Sequence, residues 1–360
     1  MRNIDDFMKN KEAIVVGWIN TGKPADCGET MKNQLLIQKL ESMDIRCHLI
    51  DFKNWRKHPW VFLKLAWFLL FRRDCSLVFS TSTKNVYPLM KLMKKIHWKQ
   101  HSILWVIGGL MGENTMKGVF LPDVIDYMDW ILVESKIMVE QLNSVGVDHV
   151  LHVPNFKPIS YYPNIDSRLE SRQNGRKLEF VFLSRIMPEK GCDYILQSIS
   201  KLNELGLEKQ FEVSFYGKIA PSYEKSFLSN VDSLKNAQYK GFLDLTSKKG
   251  LDELGGYDVM LFPTYWKGEG FAGIFMDSFI CGVPIIASDW AHNRQFMEED
   301  KTAMFVPVHD VPALTEKMKL CIEGNVDLTR MSKNCQKTAP MYDVDNVVTI
   351  DLLKKIGLHN

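Results

Sequence analysis

The chain has 360 residues, 46% hydrophobic and 24% charged, with a net charge of +2. This is an ordinary globular composition with room for two domains of about 150–180 residues. Seven scattered cysteines with no C-x-x-C pair argue against a disulfide framework or a zinc site. No uninterrupted apolar run of about 18 residues is present to span a bilayer, and Met1–Glu12 is polar and charged, so no signal peptide is expected.

The first expected strand is Ala13–Ile19. A loop follows, Thr21-Gly22-Lys23-Pro24-Ala25-Asp26-Cys27-Gly28-Glu29-Thr30, leading into Glu29–Met43, where Met31, Leu35, Leu36, Leu40 and Met43 keep helical spacing. The loop is neither G-x-G-x-x-G nor a phosphate loop with G-K-[ST]. Its glycine near the helix start could bring backbone N–H groups to a ligand; an ordinary strand–helix connection fits equally well. Further strands are expected at Arg46–Asp51, Ser76–Ser80, Ser102–Ile107, Trp130–Val133 and His149–Val153.

Charge is uneven in this half. From Lys53 to His101 eleven lysines and arginines face one acid, Asp74, and Trp55, Trp60, Phe62, Trp67, Phe68, Phe71 and Trp98 are interleaved with them. Pro59–Arg73 is too apolar for an ordinary surface helix and too short to span. One reading is an interfacial element on anionic lipid, with Trp60, Lys64, Trp67, Arg72, Arg73, Lys94 and Lys95 toward the membrane or acceptor. The other is a core helix with a basic rim. No nucleic-acid recognition motif accompanies the segment, and no nucleic-acid partner is expected.

Pro154–Arg176 holds three prolines, Gly175 and no sustained period, and is the expected boundary between domains at 1–160 and 161–343. The second half repeats the alternation, with strands at Leu178–Leu183, Phe211–Tyr216, Ala237–Lys240, Val259–Phe262, Pro284–Ser288 and Ala303–Val306. Helical patterns fall at Cys192–Leu205, Ser247–Leu254, Gly273–Ile280 and Val311–Gly324. Strands alternating with helices imply parallel sheets covered on both faces, hence an α/β chain of two doubly wound domains facing across a cleft. A last helix, Val344–Leu358, follows the second domain and is a candidate to cross back to the first.

Two constellations in the second half carry chemistry. Ser184-Arg185-Ile186-Met187-Pro188-Glu189-Lys190-Gly191 sets two cations at the carboxyl end of a strand, where a fork and a point charge can hold a diphosphate; the alternative is a solvated basic loop. Gly268-Glu269-Gly270-Phe271-Ala272-Gly273-Ile274-Phe275-Met276-Asp277 places small residues at a helix start, where N–H groups and the dipole favour phosphate, between two acids. Eight residues span ~12 Å if helical, which suits a ribose at one end and a hexose at the other. A glycine-rich loop before a buried helix, with a chance pair of acids, is the plainer alternative.

Together these segments resemble glycosyltransferase family 4, retaining nucleotide-sugar enzymes with the GT-B fold, two Rossmann-like domains. The family's E-x7-E motif stands here as Glu269 and Asp277, inside E-G-F-A-G-I-F-M-D-S-F-I-C-G-V-P-I-I-A-S-D, and its R-x4-K pair as Arg185 and Lys190. The stretch from Leu132-Val133-Glu134-Ser135 to Val153-Pro154-Asn155-Phe156 is similar to the end of the family's first domain. I-A-S-D-W-A-H-N-R resembles members that build bacterial capsule and exopolysaccharide. The resemblance implies that Arg185 and Lys190 neutralise the diphosphate and that Glu269 contacts donor-sugar hydroxyls. It implies backbone N–H groups from Gly270, Phe271 and Ala272, a ribose contact from Asp277, a nucleobase flanked by Tyr239, Lys240 and Gly241, and phosphate approach at Gly28.

Two departures stand out. Asp277 is one methylene shorter than the family's second Glu. Ile107, in Leu104-Trp105-Val106-Ile107-Gly108-Gly109, occupies the place of a first-domain His. In the front-face account of retaining transfer the donor phosphate takes the acceptor's proton, so no protein base is required; Glu113 and His101 are the candidate substitutes, each also readable as a loop or surface residue. The implied activity moves a hexose from a nucleotide sugar, UDP-linked by family frequency, to a lipid-linked glycan in bacterial surface polysaccharide synthesis. It needs no metal or other cofactor and works in the cytoplasm, peripherally on the inner membrane face. Two other readings stay open: a nucleotide-sugar epimerase of the same fold, and a non-catalytic nucleotide-sugar-binding partner of a membrane glycan-assembly complex.

Overall fold

The computed structural model describes residues 11–173 and 175–359; residues 1–10, on which the expectation of no signal peptide rests, lie outside the described residues. The chain divides into two compact units. One runs to Pro158 and is completed by the stretch from Tyr342; the other is Ile159–Met341.

In the first unit the elements run β1 (Glu12–Gly17), α1 (Gly28–Ser42), β2 (Arg46–Asp51), α2 (Trp60–Phe71), β3 (Ser76–Thr81), α3 (Thr83–Lys95), β4 (Ser102–Val106), α4 (Met111–Met116), α5 (Pro122–Ile125), β5 (Trp130–Val133), α6 (Lys136–Asn143) and β6 (Val150–His152). The strands form one parallel sheet in the order β2-β1-β3-β4-β5-β6, with Val15 opposite Leu49 on one side and Val78 on the other. Helices cover both faces, so the inner strands are apolar without alternation. On one face Ile14, Val16, Phe79 and Leu104 pack with Val61, Leu65 and Phe68 of α2; on the other Val15, Val78 and Trp105 pack with Leu36 and Leu40 of α1. Strand order reverses between β1 and β3, opening a crevice at their carboxyl ends.

The second unit runs α7 (Asp166–Gln173), β7 (Leu178–Leu183), α8 (Cys192–Glu204), β8 (Phe211–Tyr216), α9 (Glu224–Asp232), β9 (Ala237–Tyr239), α10 (Lys248–Gly255), β10 (Val259–Phe262), α11 (Gly273–Ile280), β11 (Ile285–Ser288), α12 (Asn293–Phe296), β12 (Ala303–Val306), α13 (Val311–Ile322) and α14 (Leu328–Thr338). Its sheet is again parallel, in the order β12-β11-β10-β7-β8-β9, and its reversal lies between β10 and β7. Phe180, Phe182, Val213 and Phe215 meet Ile195, Ile199 and Leu202 of α8 in the core. Arg168 of α7 is buried and ties three segments together. It donates to the carbonyls of Gly255, Tyr257 and Gly282 and to Ser332 Oγ, and burial pushes its guanidinium down to about 10.

The chain then returns to the first unit. The expected single helix over 344–358 is two, α15 (Val344–Val347) and α16 (Ile350–Lys355). Thr349 breaks the run: its backbone is extended, and its hydroxyl caps α16 by accepting from the Leu352 N–H at 3.2 Å. Val348, Leu353, Ile356 and Leu358 are buried with the α1 face of the first sheet. Among the described residues no helix is long and apolar enough to cross a membrane.

Candidate functional site

In the second unit the strand-order reversal brings the loops after β7 and β10 together, and Lys190 and Glu269 arrive from these two loops. Lys190 ends a single 3-10 turn, Pro188–Lys190, and Gly191 follows with φ +80° as the N-cap of α8. A Cβ on Gly191 would lie 2.2 Å from the Pro263 carbonyl oxygen, so the close approach of the two loops requires glycine. The Tyr265 N–H donates to the Glu189 carbonyl at 2.9 Å and laces the loops together.

Lys190 Nζ lies 2.5 Å from Glu269 Oε2, and the Thr264 hydroxyl donates to the same oxygen at 2.9 Å. Both charged side chains are less than a tenth exposed. The Phe262 ring lies 5.6 Å from Nζ on the inner side. The sequence assigns Lys190 to a diphosphate and Glu269 to sugar hydroxyls; in the structure each is the other's partner. A buried pair of this kind is held by geometry and by the extra hydroxyl rather than by solvent.

Arg185 stands two residues beyond β7. It is exposed, with its guanidinium over the Trp266 ring at 5.5 Å. Helix α11 begins at Gly273, where the helical pattern starts, with Ala272 as its N-cap. The ~12 Å helical rise from Glu269 to Asp277 therefore does not apply, because Glu269–Ala272 lies in a turn and only the second half of the interval is helical. Gly270 and Ala272 lie in that turn. Phe271 sends its ring inward, 4.3 Å from Phe296, and Asp277 is buried in the second turn of α11.

At the end of β9, Tyr239 donates its hydroxyl to the Gly217 carbonyl at 3.0 Å, and the Gly217 N–H donates to the Gly241 carbonyl at 2.7 Å. The Lys240 side chain turns aside to donate to the Tyr257 hydroxyl at 3.0 Å. Burial pulls that ammonium down, but the Tyr257 bond and the Tyr257 and Glu253 charges hold it above its ordinary value. On the other side of Gly241, Phe242 is 82% exposed. Sequence reasoning passes over Phe242, Thr264 and Trp266. The available signal is a large apolar residue directly after a turn glycine, and polar and aromatic residues directly after an apolar strand.

In the first unit the corresponding crevice lies between β1 and β3. Gly28 opens α1, with nothing within 4 Å of a Cβ built on it. Next to it, Glu29 accepts from the Thr81 hydroxyl at 2.5 Å, and Asn85 donates to that hydroxyl at 2.9 Å. Burial pushes the Glu29 carboxyl above its ordinary value, while the Thr81 hydroxyl and the Trp18 N–H pull it back. Ile107 follows β4, its N–H on the Thr81 carbonyl at 3.2 Å. Neither expected substitute stands at this crevice as a free base. His101 sits at the opposite, amino end of β4 with Nδ1 2.9 Å from Ser76 Oγ, and Glu113 of α4 is ion-paired with Lys117, the C-cap of that helix.

The basic, aromatic segment divides between its two readings. Val61, Leu65 and Phe68 of α2 are buried on the sheet, while Trp60, Leu63, Trp67, Leu70 and Phe71 form an exposed stripe. Several expected membrane-side cations have partners within the unit. Lys64 donates to the Leu49 carbonyl at 3.0 Å, Arg72 pairs with Glu12, Lys94 pairs with Asp123, and Arg73 stacks over Trp98 at 4.0 Å. Lys95 is exposed.

Among the described residues one group combines metal-ligand types, Glu12, His48 and Cys75. Glu12 Oε2 there already faces His48 Nε2 at 2.6 Å and the Arg72 guanidinium, a cation that a metal would have to displace.

Residues 164–338 match the family described as glycosyl transferases group 1. The match covers nearly all of the second unit. Of the curated relatives, the GtfA subunit of the Streptococcus pneumoniae UDP-N-acetylglucosamine–peptide N-acetylglucosaminyltransferase is 24% identical over 51% of this chain and 35% of its own length. The alpha-D-kanosaminyltransferase of Streptomyces kanamyceticus is 21% identical over 43% of this chain and 39% of its own. The matches thus span little more than a third of either relative. Among solved structures, Anabaena Alr3699/HepE, crystallised with UDP, superposes with a TM-score of 0.74 at 14% identity over 96% of this chain and all of that one. The two-domain GT-B fold is the one that the resemblance implies.

Proposed function

We propose that the protein is a retaining glycosyltransferase that moves a hexose from a UDP-sugar to a lipid-linked glycan of bacterial surface polysaccharide. The observation that carries this reading is the Lys190–Glu269–Thr264 cluster beside Arg185, at the strand-order reversal of the second unit. Arg185 and Lys190 supply the positive charge that a departing diphosphate needs, so the reaction calls for no bound metal. Glu269 is freed toward the sugar hydroxyls as Lys190 turns to the phosphate. The bond from the anomeric carbon to the phosphate oxygen breaks and the bond to the acceptor oxygen forms on the same face. The acceptor's proton passes to the departing phosphate oxygen, which suits a chain with Ile107 where an imidazole would stand.

The acceptor side rests on α2. Its exposed aromatic stripe suits the interfacial depth of a bilayer. Beside its first turn lies a cavity of about 390 Å³ whose lining includes Lys23, Lys53, Lys64 and His58, a charge that suits an anionic leaflet. The protein would then act in the cytoplasm on the inner membrane face.

Calorimetric titration of UDP into wild type and Lys190→Ala tests the donor site: affinity is expected to fall about tenfold or more in the variant, and an unchanged value removes the diphosphate assignment. The anomeric configuration of the product tests the mechanism; inversion overturns retention.

A further inference from the structure

Resting on the assignment of Arg185 to the diphosphate, we infer that Trp266 and Trp290 form an indole clasp that orients Arg185 and fixes the Glu269 turn. They are positioning residues that do not themselves hold the donor. The I-A-S-D-W-A-H-N-R run contributes to the site through this clasp.

Trp290 stands two residues beyond β11, and its Nε1–H donates to the Trp266 carbonyl at 2.8 Å. The Glu269 N–H donates to that same carbonyl at 3.1 Å. One carbonyl oxygen thus receives both the tip of Trp290 and the backbone of the residue that faces Lys190. The Trp266 N–H in turn donates to Thr264 Oγ1 at 3.2 Å, the hydroxyl bonded to Glu269. The segment 264–269 is closed at both ends, and its carboxylate is held by the Thr264 hydroxyl, which the Trp266 N–H orients in turn.

The geometry of Trp290 is itself fixed. Ala291 has φ +50°, a left-handed backbone that a residue with a Cβ seldom adopts. Asn293 donates its side-chain N–H to the Ser288 carbonyl at 3.0 Å, and its own N–H reaches the Trp290 carbonyl at 3.1 Å. A strained turn locked on both sides aims one indole N–H at one acceptor. Such strain is found where the surroundings over-determine a functional geometry.

The Trp266 indole does the second half of the work. It packs against Gly268, where an added Cβ would lie 2.9 Å from Nε1. The Arg185 guanidinium lies over its ring at 5.5 Å. A long exposed arginine loses rotamer freedom when it binds an anion; an aromatic face beneath it removes part of that loss beforehand.

The test is UDP binding by calorimetry to wild type, Arg185→Ala, Trp266→Ala, Trp266→Phe, Trp290→Phe and the double variant Arg185→Ala/Trp266→Ala. Trp266→Ala is expected to weaken UDP by about fivefold, with Trp266→Phe recovering most of it because the ring face remains. Trp290→Phe keeps a ring but loses the N–H and is expected to weaken UDP by about three- to tenfold. In the double variant, loss of Trp266 should add less than about twofold to the loss of Arg185, the signature of acting through it. The change in tryptophan fluorescence on adding UDP should shrink in Trp266→Phe. Multiplicative losses in the double variant, or wild-type affinity in both Trp266→Ala and Trp290→Phe, overturn the clasp. If Arg185→Ala binds UDP like wild type, it is the underlying donor reading that fails.

Discussion

Lys190 Nζ and Glu269 Oε2 meet at 2.5 Å across 79 residues of sequence, inside a site where both side chains are all but closed to water. The pair joins the β7–α8 loop to the turn before α11. On the proposed donor reading the pair would also set the order of events, since a phosphate could claim Lys190 only as Glu269 found sugar hydroxyls in exchange.

Removing one member leaves a buried charge without a partner. Lys190→Met or Glu269→Gln alone should each lower unfolding free energy in urea by about 3–5 kcal/mol. Joining the two substitutions should restore most of that stability while leaving UDP affinity at the level of Lys190→Met. If the double variant is as unstable as the sum of the singles, the two residues are not a coupled pair.

Gly191→Ala places a methyl against the Pro263 carbonyl and forces a left-handed backbone on alanine. The expected loss is about 2–4 kcal/mol. Because the same shift moves Lys190, UDP binding should weaken even at temperatures where the variant is fully folded. Circular dichroism melts paired with titration separate the two effects.

Glu29 gives a pH-dependent signature in the first unit. Burial raises its carboxyl above 4.5 in the folded protein, so the folded state holds that proton more tightly than the unfolded chain. Its contribution favours folding below 4.5 and is lost as pH rises through the raised value. Glu29→Gln can still accept from Thr81 but does not titrate. The unfolding free energy of the variant minus that of wild type should therefore climb between pH 4.5 and neutrality; a difference that falls over this interval contradicts the burial argument.

The exposed stripe of α2 lends itself to a clean separation of folding from surface function. Trp60→Ser, Leu63→Ser and Trp67→Ser together should change thermal stability little, since exposed positions each contribute within about 0.5 kcal/mol. Flotation with anionic vesicles at low salt should fall sharply in the same triple variant. Equal flotation of variant and wild type would return α2 to a purely structural role.

Each strand among the described residues is legible in the sequence, and Arg46–Asp51, Leu178–Leu183 and Val259–Phe262 have the expected bounds. Parallel strands covered on both faces are unbroken apolar stretches between polar breakers, a strong local signal. The face that α2 buries is not legible, because Trp60–Phe71 is apolar nearly all round and its period selects no side. The bounds of α11, Gly273–Ile280, are by contrast those the helical pattern gives; what the pattern does not show is the Glu269–Trp266 bond in the segment before it. Spacing brings Arg185 and Lys190 to one loop but is silent about partners from another, so the Lys190–Glu269 bond and the Trp290–Trp266 bond are visible only once β7, β10 and β11 lie side by side.

The first unit is discontinuous in sequence, and this has a consequence for synthesis. Ile159–Met341 is one uninterrupted stretch and can close its core while translation is still in progress. The first unit has Val348, Leu353, Ile356 and Leu358 as part of the cover on its α1 face, and these residues leave the ribosome after the whole second unit. The half of the protein made first is thus the half finished last, and until then Val15, Val78 and Trp105 lack part of their cover, a nascent surface for chaperones to shield.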